Sequence, residues 1–223
     1  MSVRIAVTGG SGFIGTNFAK AAEDADHEVK SLDIRPPKDP RQRQIWVDVD
    51  VCDADRVRSV LTEWRPDAVI HLAARADTDS DTLEDYAVNS EGTRRVAEAA
   101  AEVPSIRRLI HASTQYVFTL GRTPAHDEDY APFTAYGESK VRSEQVLRGG
   151  DWPFTWTIVR PTNIWGPWHP RYPEEFWKVV ARGLYFHPGR KRVRRAYGYV
   201  GNVAQQLLAM IAAPEEKIGR AHV

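Results

Sequence analysis

A single cysteine, Cys52, stands among 223 residues, so the chain forms no disulfide within itself and no thiolate metal cluster. Its seven histidines lack the H-x-x-x-H spacing that sets two zinc ligands on one helix face, and no metal site is expected. Charge of one sign is missing too. Thirty Lys and Arg cancel thirty Asp and Glu, so no global field points to nucleic acid or to an anionic membrane. No apolar run approaches the roughly 18 residues of a membrane span. The first residues lack the basic segment, apolar stretch and small-residue cleavage site of a secretory leader. These absences make a reducing cytoplasm the default compartment. No internal repeat is visible. What remains is an ordinary globular composition, 42% hydrophobic and long enough to bury a sizeable core.

Short β-type runs alternate with helical stretches, the pattern of a parallel sheet covered by helices on both faces. Residues 3–7 form a compact apolar run ending in Thr8-Gly9-Gly10, which predicts a first, buried strand. A helix over about 12–25 follows. Further strands are expected at 28–32, 45–47, 68–72, 108–112 and 155–159. Asp53 or Asp55 can cap a helix running to Trp64, with Val57, Val60, Leu61 and Trp64 as its apolar stripe. Helices are also expected over 87–102 and 136–147. After Pro161 the chain turns rich in Trp, Pro and basic residues, which suggests a change of architecture. The fold class expected is α/β, a Rossmann-type doubly wound parallel sheet.

Residues 8–15 read Thr-Gly-Gly-Ser-Gly-Phe-Ile-Gly, with Gly9, Gly12 and Gly15 three apart. A glycine turn between a buried strand and a helix lets a dinucleotide pyrophosphate approach the backbone. The free N–H groups and positive dipole end of the helix then face the phosphate. The spacing is G-x-x-G-x-x-G rather than G-x-G-x-x-G, and alone either pattern is weak. Here strand, turn, helix and second strand arrive in order, and Asp33 closes the second strand. Its carboxylate suits the two ribose hydroxyls of NAD and repels the extra phosphate of NADP, a repulsion that Arg35 partly offsets.

Tyr136 and Lys140 stand four apart on a predicted helix and share one face. A free phenol titrates near about pH 10. A neighbouring ammonium and the positive charge of oxidised nicotinamide both favour phenolate, which can then take a proton from an alcohol. Thr114 lies just past the fifth strand, where its hydroxyl can hold the substrate oxygen. A lone Tyr-x-x-x-Lys is common by accident on exposed helices; its place behind a dinucleotide turn and a hydroxyl-bearing strand end gives it weight.

Together these residues resemble the extended short-chain dehydrogenase/reductases, the NAD-dependent epimerase/dehydratase family, over essentially the whole chain. The segments that carry the resemblance are TGGSGFIG (8–15), HLAA (71–74), STQYV (113–117), YGESK (136–140), RPTNIWGP (160–167) and YVGNVAQ (199–205). It implies NAD held by Gly9, Gly12, Phe13, Ile14, Gly15 and Asp33, by Asp50 and Val51 at the adenine, and by Leu72, Ala73, Ala74 and Asn89. It implies catalysis by Thr114, Tyr136 and Lys140, the last two also touching the cofactor. For a nucleotide-sugar substrate it implies Thr114, Gln115 and Asn163, with Arg195 on the diphosphate. It further implies residues 1–160 as the cofactor domain and 161–223 as a substrate lobe interleaved with it. Dimerisation through the 87–102 and 136–147 helices is implied as well.

Departures from the family pattern narrow the chemistry. Dehydratases of the family carry an acidic pair directly after the catalytic threonine, where this chain has Gln115 and Tyr116, so water elimination is disfavoured. Phe118 and Asn202 replace a commoner tyrosine and aspartate. The chain ends at Ala221-His222-Val223, where family members enter another strand, so the substrate lobe is expected to be partial.

Weaker signals read as follows. The Arg-Lys-Arg-Val-Arg-Arg run at 190–195 fits a diphosphate clamp or a solvated turn better than a nucleic-acid patch. Asp77, Asp79 and Asp81 alternate like a calcium loop, but Thr82 and Val88 stand where the glycine and the bidentate glutamate belong. Trp165 and Trp168 suit lobe packing, or stacking on a base or sugar. His71 and His111 suit packing rather than reactivity. The function expected is an epimerase that oxidises a sugar alcohol transiently to a ketone. Carbonyl reduction on another small substrate and non-catalytic dinucleotide binding are the rivals.

Overall fold

The computed structural model of the chain describes residues 2–119, 121–186, 196–214 and 221–222. The strands run β1 (Arg4–Thr8), β2 (Glu28–Asp33), β3 (Trp46–Asp48), β4 (Ala68–His71), β5 (Arg108–Ala112), β6 (Thr155–Val159), β7 (Asn163–Trp165), β8 (Tyr197–Tyr199) and β9 (Ala221–His222). The helices are α1 (Phe13–Asp24), α2 (Ala54–Trp64), α3 (Ala87–Ala101), α4 (Ala135–Gly149), α5 (Lys178–Ala181) and α6 (Val200–Ala212). Short 3-10 turns add to these, and a π-helical turn at Tyr172–Trp177 leads into α5.

Seven parallel strands form one sheet in the order β3-β2-β1-β4-β5-β6-β9. Successive strand residues point to opposite faces, so each inner strand feeds two cores. Ala6, Leu32, Val69, Leu109 and Ile158 meet Val57, Leu61, Val96, Ala100 and Leu147 on the face covered by α2, α3 and α4. Ile5, Val7, Val29, Ile70 and Ile110 meet Phe18, Ala22, Ala204 and Leu207 on the face covered by α1 and α6. This is the doubly wound α/β fold.

Chain order explains where a ligand fits. From β1 the chain steps outward to β2 and β3, then returns to build β4, β5 and β6 on the other side. The reversal opens a crevice at the carboxyl ends of β1 and β4, the place where such sheets bind ligands. Local signals act as expected at the helix starts. Asp53 caps α2 by accepting the Arg56 N–H at 3.0 Å, and Thr134 caps α4 by accepting the Gly137 N–H at 2.9 Å.

Beyond β6 the chain leaves the sheet. β7 and β8 form a separate parallel pair, with Asn163 opposite Tyr197 and Trp165 opposite Tyr199. The chain then returns: α6 packs on α1, and β9 pairs with β6. Among the described residues no helix is long and apolar enough to cross a membrane.

Candidate active site

The turn after β1 is built for close approach. Gly9 has φ +68, and a Cβ there would stand 2.6 Å from the Ala73 nitrogen. A Cβ on Gly15 would stand 2.4 Å from the Gly9 carbonyl oxygen, so that glycine lets α1 lie against the turn. No side chain caps α1 and no acid sits in its first turn, which leaves its N-terminal N–H groups facing the crevice. The Ser11 hydroxyl within the turn is buried with no partner among the described residues. Asp33 sits at the carboxyl end of β2, where Oδ2 accepts the Ser11 N–H and Oδ1 the Arg35 N–H, both at 3.0 Å. Each oxygen keeps a lone pair for a ribose hydroxyl. Glycine cradle, open helix end and acceptor pair together fit a dinucleotide.

The segment after β4 lies beside the turn after β1. Ala73 N–H donates to Thr8 Oγ1 at 3.3 Å, and Leu72 N–H to the Thr8 carbonyl at 3.1 Å, which fixes the segment after β4 beside the turn. Ala74 continues that segment. Val51 is buried, and Asp50 accepts the Cys52 N–H at 2.9 Å. Asn89 is buried, its amide donates to the Arg75 carbonyl at 3.0 Å and to Ser139 Oγ at 2.8 Å, and it accepts the Arg75 N–H at 2.8 Å. With both amide hydrogens engaged, it ties the loop after β4 to α4.

The structure brings the expected catalytic residues together. Thr114 follows β5, and its hydroxyl lies near enough to the Tyr136 phenol to act on it. Tyr136 lies between two rings the sequence did not single out, with Tyr86 at 6.0 Å and Tyr116 at 6.1 Å. Burial pushes the Tyr136 pKa up to about 12, and the Thr114 hydroxyl is the group that pulls it down. The sequence reading has a neighbouring ammonium lowering it; Lys140 is not among the leading influences. The phenol is therefore the protonated acid form at neutral pH. Lys140 is itself buried, which brings it down to about 8 against the pull of Glu144.

Beneath this pair, His71 and His111 stack at 5.2 Å in the sheet. Burial holds His71 at about 3 and His111 well below its ordinary range, so both are neutral packing groups. His71 bonds Thr8 at 2.6 Å and Thr93 at 3.0 Å, and His111 bonds Ser143 at 2.9 Å.

Of the residues expected on the substrate side, Asn163 lies in the β7–β8 pair. Asn163 opens β7 and donates to the Ala196 carbonyl at 3.2 Å, and Gln115 lies in the turn after Thr114. Arg195 and the 190–195 run lie outside the described residues. Trp165 and Trp168 do not pack into a core: they are 44% and 40% exposed. Trp165, Tyr172, Phe176, Trp177 and Tyr197 instead line an aromatic cavity of about 360 Å³. Tyr172 stacks on His169 at 4.1 Å, and His169 meets Phe13 of the glycine turn at 4.8 Å, so the cavity adjoins the crevice. The Asp77 loop closes on itself through Arg75, Tyr86 and Asp85.

A dinucleotide crevice with a Thr-Tyr-Lys group at its edge defines a short-chain dehydrogenase/reductase-type site. The chain belongs to the NAD-dependent epimerase/dehydratase family, whose model matches residues 5–223, and NAD is that family's cofactor. It is 31% identical over 217 residues to an N-acetyl-α-D-glucosaminyl-diphospho-ditrans,octacis-undecaprenol 4-epimerase of Escherichia coli O157:H7, covering 92% of this chain and 62% of the relative. It is 31% identical over 216 residues to a 3β-hydroxysteroid dehydrogenase/Δ5→4-isomerase of Mycobacterium tuberculosis, covering 90% and 58%. The UDP-glucose 4-epimerase of Thermus thermophilus in complex with NAD superposes with TM-score 0.75 at 27% identity, covering 95% of this chain and 75% of that one. The chain thus spans 62% and 58% of the length of these two curated relatives.

Proposed function

We propose that the chain carries the cofactor and catalytic part of an epimerase acting on a nucleotide sugar. Residues 1–160 hold NAD and the catalytic side chains, and 161–223 contribute to the substrate lobe. When bound, NAD supplies a reversible hydride acceptor. Tyr136 takes the proton of the substrate hydroxyl through its phenolate and returns it after the ketone has turned over. Thr114 bonds the same oxygen and holds it against Tyr136. Lys140 contributes positive charge under the phenol and a contact to the nicotinamide ribose. Gln115 and Asn163 are the substrate contacts on the described lobe. Gln115 and Tyr116 supply no carboxylate for water elimination, which favours epimerisation over dehydration. Association of two copies through α3 and α4, in a cytoplasmic setting, belongs to the same proposal.

The observation that carries this reading is the buried Tyr136 phenol, close to the Thr114 hydroxyl and one helical turn from Lys140. Incubation with NAD and UDP-glucose, followed by NMR of the sugar, tests it. A C4-inverted product without net NADH supports epimerisation. A second reading, dehydrogenation or reduction of an apolar alcohol or ketone, is favoured by the aromatic cavity and by the name of the steroid-acting relative. Stoichiometric NADH with a hydrophobic alcohol would select it. NAD uptake without any turnover would select the non-catalytic module.

A further inference from the structure

His71 closes β4 and is buried, and each of its ring nitrogens meets one hydroxyl. Nδ1 stands 2.6 Å from Thr8 Oγ1, and Nε2 stands 3.0 Å from Thr93 Oγ1. The neighbours of those hydroxyls fix every proton in the chain. Thr93 Oγ1 donates to the Asn89 carbonyl at 2.7 Å, which uses its only hydrogen. It must therefore accept from His71, so the imidazole carries its hydrogen on Nε2. Nδ1 is then a lone pair, and it accepts the Thr8 hydroxyl hydrogen. The Thr8 oxygen in turn accepts the Ala73 N–H at 3.3 Å. His111 repeats the rule one strand over: Ser143 gives its hydrogen to the Lys140 carbonyl at 2.8 Å and so accepts from His111 Nε2.

The two nitrogens of His71 reach the two ends of one short segment. On the Thr8 side the chain ends at the Ala73 N–H, and a Cβ on Gly9 would stand 2.6 Å from that nitrogen. On the Thr93 side it ends at Asn89, whose amide accepts the Arg75 N–H at 2.8 Å and donates to the Arg75 carbonyl at 3.0 Å. Residues 73–75 are thus held at both ends through a single ring. Packing alone asks for none of this. An apolar side chain would fill the space, as Val69 and Ile70 do along β4, without the cost of burying polar groups. It would also leave the buried Thr8 hydroxyl without an acceptor and its rotamer without a lock.

We propose that His71 is a positioning residue for the cofactor crevice: a neutral imidazole with its hydrogen on Nε2 that, through Thr8 on one side and Thr93 and Asn89 on the other, sets the 73–75 segment at its spacing from the glycine turn. The inference rests on the reading of that segment as a wall of the NAD site. Two of its three readouts need no cofactor, so the two can fail separately.

Long-range ¹H–¹⁵N correlation of histidine-¹⁵N-labelled protein at neutral pH reads the tautomer, with the His71 signals assigned by their absence in His71→Asn. A hydrogen on Nε2 is expected; a hydrogen on Nδ1 overturns the proposal. Thr8→Val keeps the shape of residue 8 and removes the hydroxyl. Hydrogen exchange at the Ala73 amide should then quicken by about tenfold, and NAD should bind about tenfold more weakly, the worth of one hydrogen bond. Thr8→Ser, which restores the hydroxyl, should recover both. A loss of global stability alone would move neither once the folded fraction is counted from urea unfolding. If Thr8→Val does not fold, Thr93→Val breaks the same chain from the other nitrogen and should weaken NAD likewise. A folded Thr8→Val protein with wild-type Ala73 exchange and NAD affinity overturns the proposal, as does a Ser variant that behaves like the Val variant. Faster Ala73 exchange in Thr8→Val, beside a wild type that takes up no NAD, would support the proposal and sink the reading of the crevice.

Discussion

Gly137 and Tyr116 lie so close that a Cβ on Gly137 would stand 2.4 Å from the Tyr116 carbonyl oxygen. This contact sets α4 against the turn that begins at Thr114, and so sets the distance between the Thr114 hydroxyl and the phenol next to Gly137. The neighbour met is backbone, which cannot swing aside. Gly137→Ala is therefore expected to cost about 1–3 kcal/mol of stability by overpacking. It should also depress kcat beyond what the lost folded fraction explains. Urea unfolding beside steady-state rates checks this; an alanine variant with wild-type stability and rate contradicts it.

Tyr136→Phe removes the hydroxyl proposed to move the substrate proton and leaves the ring between Tyr86 and Tyr116. Turnover should fall by about 10²–10⁴-fold, the usual worth of a general acid–base group. NAD affinity should stay within a few-fold of wild type. Calorimetric titration and rate measurement on one preparation separate the two effects.

Asp33→Ala takes away both carboxylate oxygens at the ribose end of the crevice and the bond that holds Ser11 N–H. NAD binding should weaken, and discrimination against NADP should relax. Parallel titrations with both dinucleotides decide it. An unchanged ratio of the two affinities would remove Asp33 from the site.

Stability should depend on pH through the histidine pair. Folding holds His71 at about 3 and His111 well below its ordinary value, so both stay neutral in the fold. The unfolded chain binds those protons below about pH 6.5. Their contribution is thus fully present above that pH and is lost as pH falls toward the folded values, with a slope approaching about 1.4 kcal/mol per pH unit for each histidine. Urea midpoints should drop between about pH 7 and pH 5.5. Equal midpoints would contradict the burial of two neutral imidazoles.

The strands from β1 to β6 and the helices from α1 to α4 were legible because buried runs, helical stripes and caps such as Asp53 agree along each segment. α6 was also written in the chain: Val200, Ala204, Leu207 and Leu208 are buried at helical spacing, yet only its first turn was read, as a motif. β7 and β8 are three residues each, too short to show a period. Thr114, Tyr136 and Lys140 were legible because each keeps a fixed place relative to a strand end or helix. The Thr8–His71–Thr93 chain was not, since only the tertiary fold brings position 71 to positions 8 and 93. The direction of the Tyr136 shift escaped for the same reason: it depends on burial between rings from two distant turns.

The account stands on one arrangement, a glycine-lined bend that seats a dinucleotide beside the Tyr136 phenol. Isothermal calorimetry of the folded chain with NAD tests it most directly. Saturable binding at one site per chain, weakened by Asp33→Ala and retained by Tyr136→Phe, is the predicted result. No heat and no competition with either NAD or NADH, from protein shown to be folded, would contradict it.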